Sequence, residues 1–149
     1  MAIARGAGTE IIRSIFLEDV NSTGRVLIYG VQHHIYTILN ISVFAMTLNA
    51  DRDYCKAYLT GYDSNAGTTA QIINVFNNDM SVGQTYVWND KFSFNGHEPT
   101  DFTGPMDDAT KQDAIADQGS SVAQKLTIAG EHASDTFDVT CTYIDQNNS

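Results

Sequence analysis

Alternation with a period of two runs through most of this chain. From Ile35 to Thr47, Ile35, Thr37, Leu39, Ile41, Val43 and Ala45 fall on one face. Tyr36, Ile38, Asn40, Ser42, Phe44 and Met46 fall on the other. Successive side chains of a strand point to opposite faces, so this pattern predicts a β-strand with one face in a core. The first face is small and β-branched and is expected inside. Phe44 and Met46, on the second, mark a contact surface.

The same reading holds elsewhere. Phe137, Val139, Cys141 and Tyr143 alternate with Thr136, Asp138, Thr140 and Thr142. Cys55, Ala57 and Leu59 are expected inward, and Tyr54, Lys56, Tyr58 and Thr60 outward. Each of the two cysteines therefore sits on an apolar face and is expected as a buried free thiol. Further strands are expected at Glu10–Leu17, Arg25–Val31, Gln71–Asn77, Gln84–Trp88, Lys91–Asn95 and Val122–Ala129. Turn-forming runs such as Asn21-Ser22-Thr23-Gly24 and Asn49-Ala50-Asp51 separate them. Strands without regularly interposed helices exclude a parallel α/β sheet. The expected fold is all-β: an antiparallel two-sheet sandwich or jelly roll.

One segment departs from the period. Pro105 to Asp117 is rich in Ala and acid, with Pro105 suited to a first helical position and Gly119 to a C-terminal cap. It is expected as a short acidic helix in one long connection. The expected layout is a flexible N-terminal arm over 1–9 and a single sandwich domain over 10–149, with an acidic insertion at 98–119.

Charge narrows the range of partners. Eight cations stand against 18 carboxylates, a formal net charge of -10. Such a surface repels phosphate backbones and anionic membranes, so neither nucleic acid nor membrane is an expected partner. No apolar run approaches a membrane span, and no apolar h-region opens the chain. A cytoplasmic folding environment with reduced thiols is expected.

The motifs for chemistry are missing. No G-x-S-x-G elbow, no phosphate loop and no metal-ligand spacing occurs. His33 and His34 are adjacent, so on a strand they diverge; His97 and His132 are isolated in sequence. The acidic run from Glu98 to Asp117 lacks the D-x-[DN]-x-[DN]-G spacing of a calcium loop and reads as a solvated face. No enzymatic activity, cofactor or metal is expected. The informative side chains are aromatic: Tyr54, Tyr58, Tyr86 and Trp88 lie on strand faces and are of the types favoured in protein interfaces. With Arg5, Gly6 and Arg13 of the opening segment, they are the candidate partner-binding residues. Ala4-Arg5-Gly6-Ala7-Gly8-Thr9 could add backbone hydrogen bonds to a partner's sheet edge.

A resemblance adds to this reading. Val82-Gly83-Gln84-Thr85 followed by Asn89-Asp90-Lys91-Phe92-Ser93-Phe94 resembles a turn-and-strand succession in small β-sandwich structural proteins of tailed bacteriophages. Met1 to Glu10, Gly30-Val31-Gln32-His33-His34-Ile35-Tyr36-Thr37 and Tyr143-Ile144-Asp145-Gln146-Asn147-Asn148 look like those of contractile-tailed phages of marine cyanobacteria. The resemblance implies a non-enzymatic virion protein, a capsid decoration protein binding the major capsid protein of an assembled shell. It implies a homo-oligomer, with a trimer favoured. The alternative is a tail, neck or fibre component that binds a host-surface glycan or protein.

Overall fold

The computed structural model describes residues 8–63, 68–97, 109–110 and 123–148. Nine strands run through them: β1 (Thr9–Val20), β2 (Arg25–Tyr29), β3 (His34–Thr47), β4 (Tyr54–Asp63), β5 (Thr68–Asp79), β6 (Thr85–Trp88), β7 (Phe92–Asn95), β8 (Lys125–Gly130) and β9 (Thr136–Asn147). The expected flexible arm and the expected acidic helix lie mostly outside the described residues. Thr9 already opens β1, and Ala109 and Thr110 carry helical backbone.

The pairings are nested. β4 pairs with β5, β3 with β6 and β7, β2 with β8, and β1 with β9, all antiparallel. That is one long hairpin, and it is rolled up so that β9 also pairs with β3 and β8 with β4. Sheet A then has the order β1-β9-β3-β6, with β7 continuing along the same edge of β3, and sheet B has the order β2-β8-β4-β5. Counting β6 and β7 as one interrupted strand gives the eight strands of a jelly roll. Rolling buries the inner face of each sheet against the other, so the alternation seen in the sequence becomes an inside and an outside.

Phe137, Ile38, Ile41, Leu126, Ile128, Val43 and Val139 have almost no exposure and form the centre of the core. Fully burying one such side chain stabilises the fold by about 1.5–3 kcal/mol. Cys55 and Cys141 lie among them as free thiols. Burial pushes both thiols up to about 12, with the charge of Asp135 adding to the effect at Cys55.

The expected face of β3 is correct only for its second half. Ile41, Val43 and Ala45 are buried, but in the first half Tyr36 and Ile38 are buried instead of Ile35 and Thr37. The register against β9 shifts between Ile38 and Asn40. A bulge there inserts one residue, and one residue exchanges the two faces.

Candidate assembly surface

The outer face of sheet A follows from the cross-strand register. Ile12, Ile144, Thr37 and Ser93 make one row. Ser14, Thr142 and Asn40 make the next, and Phe16, Thr140, Ser42 and Val87 a third. None of these side chains is charged. Ile12, Phe16 and Val87 are 70%, 57% and 53% exposed. The hydroxyls link across strands, with Ser14 Oγ 3.1 Å from Thr142 Oγ1 and Thr37 Oγ1 2.8 Å from Ser93 Oγ. Carboxylates enter only toward the ends: Glu10 opposite Gln146, and at the other end Glu18, two residues after Phe16, with Asp138 opposite Phe44. Phe44 and Met46 are exposed there, as the alternation predicted. Single exposed apolar residues are ordinary, but a contiguous uncharged face on a chain of net charge -10 is informative.

The sequence-derived site residues do not come together. Tyr54 and Tyr58 lie on the outer face of sheet B, flanking Lys56, whose Nζ is 5.6 Å from each ring centroid. On the same face Lys125 Nζ lies 5.9 Å from the Tyr29 ring. Such cation–π contacts fix the lysines over the rings. Tyr86 and Trp88 stand opposite the inward-facing Val43 and Ile41 and are partly buried against the core. Tyr86 meets Phe76 edge-on at 5.2 Å, and Trp88 meets Phe92 at 5.6 Å. Trp88 and Phe92 line a cleft of about 370 Å³ together with Leu59, Ile73 and Val75. Arg5 and Gly6 lie outside the described residues.

Arg13 is engaged within its own chain. Its Nε lies 3.2 Å from Asp145 Oδ2, and His34 Nδ1 lies 2.6 Å from Asp145 Oδ1. The Asp145 side chain is only 7% exposed, so the two flanking bases hold a nearly buried carboxylate. The phenol of Tyr36, nearby, accepts the Val31 N–H at 3.2 Å. Its pKa is pushed up to about 12 by burial first and by the charge of Asp145 second. Tyr143 is raised chiefly by burial. A phenol raised this far stays protonated at neutral pH and has no use as a base.

A second polar group sits where the chain crosses between sheets, from β3 to β4 and from β8 to β9. Asp135 accepts the N–H of Asn49 and of His132, each at 2.8 Å. Asp53 accepts the Ala50 N–H at 2.9 Å and lies 3.2 Å from His132 Nδ1. Burial alone would raise the Asp53 carboxyl, but the Ala50 N–H and the side chains of Asp135 and His132 outweigh it and hold the carboxyl below its usual range. Asp53, His132 and Asp135 bring one donor atom each within 4.8 Å of one another, close enough to share a cation. The same contacts already serve as a clamp: Asp135 accepts a backbone N–H from each crossover, and the His132 ring reaches across to Asp53.

No family model and no curated protein matches this chain. Among solved structures, a subunit of Bacillus endospore appendages, described as a family of disulfide-linked pili, superposes with a TM-score of 0.42 at 14% identity. The match covers 100% of this chain and 97% of that one.

Neither carboxylate clamp was legible in the sequence. Asp145 and His34 are 111 positions apart, and Asp53 and His132 are 79 apart. The available signal was weak: an acid at an inward-facing strand position, as Asp145 follows Cys141 and Tyr143 by twos.

Proposed function

We propose that this protein is a non-enzymatic structural subunit, and that its particular role is decoration of an assembled bacteriophage shell. The observation that carries the reading is the uncharged outer face of sheet A, hydroxyl-rich with exposed Ile12, Phe16 and Val87, on a chain of net charge -10. A face of that kind favours burial against protein, while the acidic remainder keeps a covered particle soluble. The cluster of Asp53, His132 and Asp135 supports the same reading, because its contacts tie the two crossovers together. On this reading the partner is the major capsid protein and the site of action is the outside of the virion.

Co-sedimentation with shells lacking the protein tests the proposal. Wild type is expected to pellet with them at saturable stoichiometry. A Phe16→Glu variant, which places charge on the face, is expected to remain in the supernatant. Equal pelleting of both would show that binding does not need the outer face of sheet A.

A second reading has its own support. Tyr29, Tyr54 and Tyr58 with Lys56 and Lys125 make sheet B's outer face aromatic and cationic. A tail, neck or fibre component could present such a face to a host-surface glycan or protein. A glycan array distinguishes it: hits abolished by Tyr58→Ala support it, and a blank array counts against it.

A further inference from the structure

We infer that the outer face of sheet A closes on the same face of a second copy, giving a two-fold dimer of stacked sheets. The inference rests on the assembly reading and gives this face to a second copy, so that shells bind the dimer and Phe16→Glu loses them by breaking it.

Electrostatics comes first. Each copy carries a formal net charge of -10, so two copies repel over most orientations. The three central rows of sheet A hold no carboxylate, and Glu10 at one end and Glu18 and Asp138 at the other stand where water screens them. Two copies therefore meet through this face without opposing carboxylates in its central rows. Hydrogen bonding comes second. A face of ammonium groups only donates and a face of carboxylates only accepts, so neither complements itself. Hydroxyls do both. Ser14, Thr142, Thr37 and Ser93 already exchange such bonds across strands, and a second copy of the same face supplies matching donors and acceptors. Self-complementarity of this sort is the requirement of an isologous interface.

Size comes third. Four strand positions about 4.8 Å apart, each some 11 residues long at about 3.4 Å, give a face of roughly 700 Å². A standard stable interface uses about 800 Å² per partner. The exposed Ile12, Phe16 and Val87 supply apolar anchors within it, and the carboxylates form the polar rim. The predicted assembly is a dimer, where the phage resemblance implied a trimer.

Sedimentation velocity on the full chain tests this, with shell binding measured separately. Wild type is expected at twice its 16.3 kDa mass. Thr142→Arg puts a cation in the middle row of each copy and is expected to weaken the dimer by about tenfold or more. Its circular dichroism should stay unchanged, because the residue faces solvent in the single chain. Tyr58→Arg, on sheet B, is expected to stay dimeric. A monomeric or trimeric wild type overturns the inference, and so does a dimer that survives Thr142→Arg but yields to Tyr58→Arg. Shell binding by a monomeric wild type would overturn the dimer and leave the structural role standing.

Discussion

Asp135 has no solvent exposure and accepts two backbone N–H groups from the two chain crossovers. Asp135→Ala leaves two part-buried donors without their acceptor, and an unmet buried donor costs about 1–3 kcal/mol. The variant is expected to lose about 3 kcal/mol in urea unfolding, with Asp135→Asn losing less because its amide oxygen still accepts. Asp53 makes a pH prediction. Its carboxyl is held below the ordinary 3.8, so its stabilisation is present above that value and lost as pH falls through the lower folded value. The urea midpoint of wild type should fall below about pH 4, and Asp53→Asn should flatten that limb. The cysteines act at the other end of the scale. Their folded thiols are raised from 9.0 to about 12, so stability is full below pH 9 and declines as the pH rises toward 12. Native protein should resist iodoacetamide at pH 8, and denatured protein should label at both sites. That burial was legible, since each cysteine sat in a run of alternating apolar residues. The aspartates were not, because each is completed by a group from the other crossover: Asn49 N–H for Asp135 and the His132 ring for Asp53.

At the scale of elements, the nine strands were readable from alternation and turn residues, with ends that coincide or move by up to four residues. β9 shows why: it continues to Asn147 because β1 and β3 pair with it to the end, a non-local cause. The face of β3 was misread before Asn40 because a bulge has no period of its own. The junction of β2, β7 and β8 was equally hidden. Gly30 N–H donates to Gln124 O at 2.8 Å, Gln124 N–H to Gly96 O at 2.8 Å, and Gly96 N–H to His34 O at 2.8 Å. A Cβ on Gly30 would run into the Gly96 carbonyl, and one on Gly96 into the Val31 carbonyl. Backbone cannot yield as a flexible side chain can. Gly96→Ala is therefore expected to cost more than the ~1 kcal/mol typical of a point substitution, read as a lowered Tm.

For the whole molecule, charge sets the expected response to salt. Copies of net charge -10 repel through water, and salt shortens that repulsion while leaving buried apolar contacts intact. Self-association is expected to tighten as salt rises, and weakening would indicate an interface held by opposite charges. The class of fold was readable from the sequence, down to the choice between sandwich and jelly roll. The surface was readable only in part. Phe44 and Met46 were marked, but Ile12, Phe16 and Val87 join them only once β1, β9, β3 and β6 lie side by side. The tyrosines and the tryptophan drew attention by residue type, and the fold distributes them over separate regions. The central claim is that this chain is a structural component of a virion. Quantitative mass spectrometry of purified particles from the source, counting this chain against the main shell protein, tests it most directly. Shell decoration predicts hundreds of copies per particle, and absence of the chain from the particles would contradict the account.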